Sequence, residues 1–278
     1  MLSRFVRTFR ATPGPIIFAS SPHRGDRLQL FSMKPDGSQR RRLLTSDAND
    51  HSPSWSPDCS TIAFVTDRDG DERIWLLDTS TGETRRLSSG PGRDIDPAWS
   101  PDGKKIAFVN VRAGKPSIYT MLADGSELSR ITDAGVVGRS PSWSRDGKHL
   151  VFSGHRDRDA TRILLVCVAD GTLAMATTET SDPRIEEWDP GWSPNGDQLA
   201  YSSNEHGPRS VCIQNAGGTV RRVYEGGTFS AWSPDSQSLL VTRDSAAGGG
   251  LLIVPLQGGG PRVLSRSYDV QGSWSQLG

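Results

Sequence analysis

Trp99-Ser100-Pro101-Asp102-Gly103-Lys104-Lys105-Ile106-Ala107-Phe108-Val109 sets a bulky aromatic, a tight turn and a β-rich run in one short stretch. Proline fixes φ for the turn, and glycine supplies the backbone conformation that other residues resist. The stretch therefore reads as the end of one strand, a hairpin turn and the strand that follows. The unit recurs as Trp55-Ser-Pro-Asp-Cys59, Trp143-Ser-Arg-Asp-Gly147, Trp192-Ser-Pro-Asn-Gly196 and Trp232-Ser-Pro-Asp-Ser236, and a last fragment is Trp274-Ser275. Successive tryptophans are 44, 44, 49, 40 and 42 residues apart. Arg24, Arg68, Arg112 and Arg156 keep the 44-residue step, as do Arg42, Arg86 and Arg130. Three registers in phase identify a repeat architecture.

Each unit predicts four strands. The tryptophan ends strand A, where a large flat side chain can pack between sheets. Strand B follows the turn, as in Thr61–Val65, Lys105–Val109 and Gln198–Tyr201. Strand C is Arg73–Leu77, Ser117–Met121 or Arg162–Val166. A second hairpin turn, such as Asp124-Gly125 or Asp170-Gly171, leads to a short strand D carrying Arg42, Arg86, Arg130, Arg222 or Arg262. Charge on an outermost strand blunts an edge that could otherwise pair with another chain. The N-terminal unit has strands B, C and D but no strand A. The C-terminus has a strand A, Gly272–Ser275, and nothing after it. The two incomplete pieces make one blade. The expected fold is all-β: a six-bladed β-propeller with four antiparallel strands per blade, its ring closed by a C-terminal strand that completes the N-terminal blade. Residues 1–14 are expected to be a flexible extension and 15–278 a single propeller domain.

Composition excludes several classes. The 278 residues carry 32 basic and 32 acidic side chains, for a formal net charge of +0. No basic excess marks a nucleic-acid binder. Hydrophobic content of 34% suits thin sheets that bury modest faces against neighbours. Cys59, Cys167 and Cys212 show neither a disulfide framework nor zinc-ligand spacing. No transmembrane run is present, and arginines interrupt Met1–Arg10 too often for a secretory h-region. A cytoplasmic monomer is expected, or a periplasmic or secreted one if a leader has been removed.

With these residues in view, the chain resembles the TolB-like β-propeller family, whose WD-type repeat centres on the Pro-Asp dipeptide of Trp-Ser-Pro-Asp-Gly. The resemblance covers about residues 15–276. It implies the six-bladed fold and an interaction domain, as in TolB itself; TolB is periplasmic, whereas no export signal is read in this sequence. Similar propellers also gate tricorn-like and prolyl-oligopeptidase-like proteases. Fold alone does not select among these roles.

No Gly-x-Ser-x-Gly nucleophile elbow occurs, and the cysteines fall in turn or strand periods. Asp67-Arg-Asp-Gly-Asp71 has the acid spacing of a calcium loop, but lacks glycine at the sixth position and glutamate at the twelfth. No cofactor is expected, with calcium the one divalent cation to consider. The A–B and C–D turns repeat closely, whereas the D–A segments before each tryptophan vary, and variable loops on a fixed scaffold are where binding resides. The 49-residue step holds an insertion, Thr178–Pro190, with Glu179, Asp182, Glu186, Glu187, Asp189 and an off-register Trp188. Together with Asp50, Asp94, Asp96 and Asp269, these residues are expected to make an acidic mouth to the central channel, which His51 and Arg139 interrupt. The expected function is a non-catalytic propeller that binds a protein or peptide segment, basic in character, at that mouth. Trp188 would be its hot spot. The alternative is a propeller hydrolase or lyase with a carboxylate- or metal-based site there.

Overall fold

The computed structural model describes residues 14–275 apart from 24, 113, 157–158, 178–181, 206, 208, 246–247 and 267. The expected extension, except Gly14, lies outside the described residues, as do Glu179, Arg24 and His206. Blade 1 contains β1 (Ile16–Ser21), β2 (Gln29–Met33) and β3 (Arg41–Arg42). Blade 2 is β4 (Asp50–Trp55), β5 (Thr61–Thr66), β6 (Arg73–Asp78) and β7 (Thr84–Arg86). Blade 3 is β8 (Arg93–Trp99), β9 (Lys105–Arg112), β10 (Lys115–Leu122) and β11 (Ser129–Arg130). Blade 4 follows with β12 (Val136–Trp143), β13 (His149–Arg156), β14 (Arg162–Cys167) and β15 (Leu173–Met175). Blade 5 has β16 (Glu187–Trp192), β17 (Gln198–Ser203), β18 (Ser210–Asn215) and β19 (Val220–Glu225). Blade 6 has β20 (Gly227–Trp232), β21 (Ser238–Arg243), β22 (Leu251–Pro255) and β23 (Arg262–Val263). The last strand, β24 (Tyr268–Trp274), hydrogen-bonds to β1, so that one sheet runs β24-β1-β2-β3. This is the strand pairing that closure by the tail requires. All pairings within the blades are antiparallel.

Six apolar clusters fill the six junctions between neighbouring blades, and each contains one motif tryptophan. Trp55 packs with Ile17, Leu30, Ile62 and Phe64 between blades 1 and 2. Trp99, Trp143, Trp192 and Trp232 hold the equivalent places in turn. At the last junction Trp274 packs with Leu240, Leu251, Ile16 and Phe18, joining blade 6 to blade 1. Trp143 Nε1 also donates to Ala98 O (3.0 Å), and Trp232 Nε1 to Gly191 O (2.8 Å), so the indole tethers its blade to the preceding inner strand.

The rest of the motif is a turn-locking network. Ser100 Oγ donates to Asp102 (2.7 Å) and accepts from Lys105 N (2.9 Å), while Asp102 accepts from Lys104 N (3.1 Å). Ser56–Asp58 and Ser233–Asp235 repeat it. These contacts hold the motif aspartates below the usual carboxylate range, Asp102 chiefly through its bond from Ser100. The fifth motif position has positive φ in every blade where it is described: Gly103 (70°), Gly147 (68°) and Gly196 (83°), but also Cys59 (55°) and Ser236 (59°). Gly103→Ala isolates the backbone effect, because a Cβ there meets nothing closer than Pro57 at 3.8 Å. It should cost about 1 kcal/mol, read as a lower urea midpoint at unchanged m-value. An unchanged midpoint would show that the turn does not hold this conformation.

Candidate functional site

Every inner strand carries a bulge just before its tryptophan, where pairing with the next strand shifts register: between His51 and Ser54, Ile95 and Ala98, Arg139 and Ser142, Trp188 and Gly191, and Phe229 and Ala231. The β24–β1 pair does the same. In five blades the third residue before tryptophan is left-handed: Ser52 (φ 48°), Asp96 (53°), Ser140 (50°), Asp189 (51°) and Gln271 (54°). Proline follows four of them (Pro53, Pro97, Pro141, Pro190), tolerated because a bulged residue need not donate to the ladder. Five non-glycine residues in this conformation at one register represent stored backbone strain, which concentrates at functional sites.

These five residues line a cavity of about 520 Å³ at the inner strands. Their polar groups form a chain around it. Ser52 N donates to Gln271 Oε1 (3.0 Å), and Ser52 Oγ donates to Asp96 Oδ1 (3.4 Å). Ser140 N donates to Asp96 Oδ2 (3.4 Å), and Ser140 Oγ donates to Asp189 Oδ1 (3.2 Å). Blade 6 interrupts the chain, since Phe229 holds the equivalent place. His51 joins from behind, Nδ1 lying 3.1 Å from Ser52 Oγ and Nε2 3.1 Å from Glu72 Oε1. Glu72, held below the usual carboxylate range first by that histidine bond, also pairs with Arg93 at 2.8 Å.

Asp96 and Asp189 are half-buried. Both line the cavity, and burial raises both carboxyls above their ordinary range. Asp189 is pushed up to about 6, first by burial and further by the Asp96 charge, against the opposing bond from Ser140 and the field of Arg209. Arg139 and His51 temper the rise at Asp96. Among the described residues neither carboxylate makes an ion pair. From its ordinary 3.8 to about 6, Asp189 binds more proton in the folded than in the unfolded protein. Stability therefore falls as pH rises through that window and stays low above it. Asp189→Asn keeps the Ser140 bond and should raise stability at pH 7.5, by at most about 3 kcal/mol. At pH 3.5 the difference should vanish. Urea titrations at the two pH values check this, and a destabilised variant at pH 7.5 would contradict it.

The expected site residues sort by register. Asp96 and Asp189 line the cavity. Asp94, Glu187 and Asp269, two residues earlier on their strands, are 2%, 2% and 0% exposed and held inside the sheets. Glu187 accepts from Arg162 Nε (3.1 Å) and Nη2 (3.3 Å), from Ile163 N and from Thr177 Oγ1. Asp269 pairs with Arg40 (3.0 Å), which stacks on Phe31 and Phe18. Asp94 accepts from Asn110 (2.6 Å) and lies 3.9 Å from Arg73; burial nevertheless raises its carboxyl. Asp50 holds the same register, paired with Arg68 at 3.4 Å. Blades 4 and 6 have Gly138 and Gly227 there, and a Cβ on Gly227 would lie 2.6 Å from Thr242 O. His51, Arg139 and Trp188 share the register of Ile95 and Val270, whose side chains pack into interblade clusters. These three do not line the cavity. Glu186 is exposed outside it, its N–H donating to Asn204. Trp188 and Glu187 belong to strand β16 rather than to a loop.

Ser52, Ser140 and Gln271 were not anticipated. The signal was a Ser-Pro or Asp-Pro dipeptide three residues before tryptophan in four units. In the segment that has the acid spacing of a calcium loop, the acids are committed separately: Asp67 to Asn49 N (2.8 Å), Asp69 to Arg86 (3.4 Å) and Asp71 to Arg73 (3.2 Å). Among the described residues no three His, Cys, Asp or Glu side chains gather as metal ligands, and no helix is long and apolar enough to cross a membrane.

Residues 51–184 match PD40, the TolB beta propeller domain. A 55-residue segment is 40% identical to the Protein TolB homolog of Chlorobium luteolum, covering 20% of this chain and 13% of that protein. TolB from Acinetobacter baumannii superposes with a TM-score of 0.74 at 24% identity, over 94% of this chain and 66% of that one. An oligogalacturonate lyase solved with manganese superposes with a TM-score of 0.58 at 17% identity, over 94% and 75% of the two chains. The chain thus spans about two thirds of the A. baumannii TolB, and its matching segment only a small part of the C. luteolum relative. It is a six-bladed β-propeller, just under half of which matches the TolB beta propeller domain.

Proposed function

We propose that this protein is a non-catalytic binding propeller that takes a cationic polypeptide segment at the mouth of its channel. The observation that carries this reading is the chain of strained, hydrogen-bonded side chains around the cavity, with Asp96 and Asp189 facing it and, among the described residues, no arginine or lysine paired to either. An entering guanidinium or ammonium relieves the repulsion between the two carboxylates and restores the solvation that burial removed. The TolB-like fold supports a protein-binding role, and it favours a periplasmic setting over the cytoplasmic one expected from residues 1–10. Capture from native lysate tests the reading: protein retained by wild type should be released by salt and lost when the bait is Asp96→Asn/Asp189→Asn. Equal retention by the two baits would sink it.

One observation favours the alternative. A carboxyl titrating near 6 in a cleft suits a general base, as a propeller lyase would need. Stoichiometric divalent metal in the purified protein would move the weight to that reading.

A further inference from the structure

The outer edge of blade 4 differs from the other five. β3, β7, β11, β19 and β23 each carry arginine, whereas β15 reads Leu173-Ala174-Met175 and carries no charge. Met175 is 38% exposed, one of few large apolar side chains at the surface. Leu165 pairs with Ala174 in the ladder, which is flanked by bonds from Cys167 N to Thr172 O and from Ala176 N to Ile163 O. Antiparallel bonding alternates, so residues 172, 174 and 176 face β14 while the N–H and C=O of Leu173 and Met175 point outward. An uncharged edge with unpaired backbone groups is a template for another strand.

Beside this edge is a cavity of about 230 Å³, bounded by His155, Arg162, Leu164, Leu173 and Met175. That is below the roughly 300 Å³ at which small-molecule sites begin, and it suits one large side chain. The cations around it are already neutralised, Arg162 by Glu187 (3.1 Å) and Arg156 by Asp133 (3.0 Å). Asp159 stands exposed at the rim and disfavours acidic residues there.

We propose that blade 4 binds an extended, uncharged peptide segment as a fifth strand along β15, with one large aromatic side chain, a tyrosine or tryptophan, seated in the cavity. A second copy of this chain does not fit, because three residues make an edge only about 10 Å long. Edge-to-edge pairing of two such strands falls well short of the roughly 1,000 Å² of a stable protein interface. The site is separate from the channel and does not depend on what binds there.

The test is selection of a displayed random heptapeptide library on the whole protein, with Met175→Arg in parallel. That exposed substitution gives β15 the arginine its five counterparts carry, and should leave the fold intact. Wild type should enrich uncharged, β-prone sequences containing tyrosine or tryptophan at least tenfold over the variant. The best peptide, added to wild type, should slow amide exchange at Leu173 and Met175. Asp96→Asn/Asp189→Asn should enrich the same sequences as wild type. Equal enrichment on wild type and Met175→Arg, or none on either, overturns the proposal.

Discussion

A chain truncated before Asp269 is expected to lose cooperative folding. The deletion removes all of β24 but Tyr268, and with it the pairing to β1 from Ile16↔Trp274 to Ser20↔Asp269. It exposes Ile16 and Phe18, fully buried in the intact protein, together with Leu240 and Leu251 of blade 6. It also leaves Arg40 without Asp269, its buried partner. Trp274, 7% exposed at the junction of blades 6 and 1, should alone cost about 3–5 kcal/mol when replaced by alanine. A single domain with stability of roughly 5–15 kcal/mol does not survive the sum of these losses. Thermal unfolding followed by circular dichroism checks the result. A truncated protein melting cooperatively at the parental temperature would show that the tail strand is dispensable.

Glu187→Ala should be nearly as severe, costing about 3–5 kcal/mol. The carboxylate is 3% exposed and joins Arg162 on β14, Ile163 N and Thr177 to the inner strand β16. Its removal takes away the buried carboxylate that lies 3.1 Å from the Arg162 guanidinium, which is itself only 12% exposed. Replacing both partners by apolar residues, as in Glu187→Leu/Arg162→Met, should recover much of the loss, because no lone charge then stays buried. Urea unfolding of the two single variants and the double variant measures the coupling. Additive losses would mean that the pair does not act as a unit. Asp189→Asn, two residues along the same strand, is expected to stabilise at neutral pH. The opposite signs separate a carboxylate that holds a blade together from one that faces the channel.

That contrast marks the limit of what the sequence discloses. The repeated tryptophan, the Ser–Asp turn lock and the arginines of strand D each follow from local chemistry. They were enough to count six blades and to place the tail strand beside β1. The direction of the acids before each tryptophan was not legible. In a regular strand Asp94 and Asp96 would share a face, as would Glu187 and Asp189, so both were expected at the mouth. The bulge breaks that alternation. It turns Asp96 and Asp189 to the cavity and leaves Asp94 and Glu187 against arginines inside the blades. Trp188 stood out by composition, yet its register is that of Ile95 and Val270, which pack between blades. The serines and the glutamine that complete the cavity wall are too common to stand out, except through the prolines that follow two of them.

The central claim, that Asp96 and Asp189 receive a cationic side chain, is tested most directly by titrating the isotope-labelled protein with N-acetyl-arginine amide and following backbone amide shifts. At pH 7.5 the shifts should cluster at Ser52, Asp96, Ser140, Asp189 and Gln271. They should fade as pH falls through about 6, where Asp189 takes up a proton. They should be absent in Asp96→Asn/Asp189→Asn. Shifts scattered over the surface, or equal in the double variant, would contradict it.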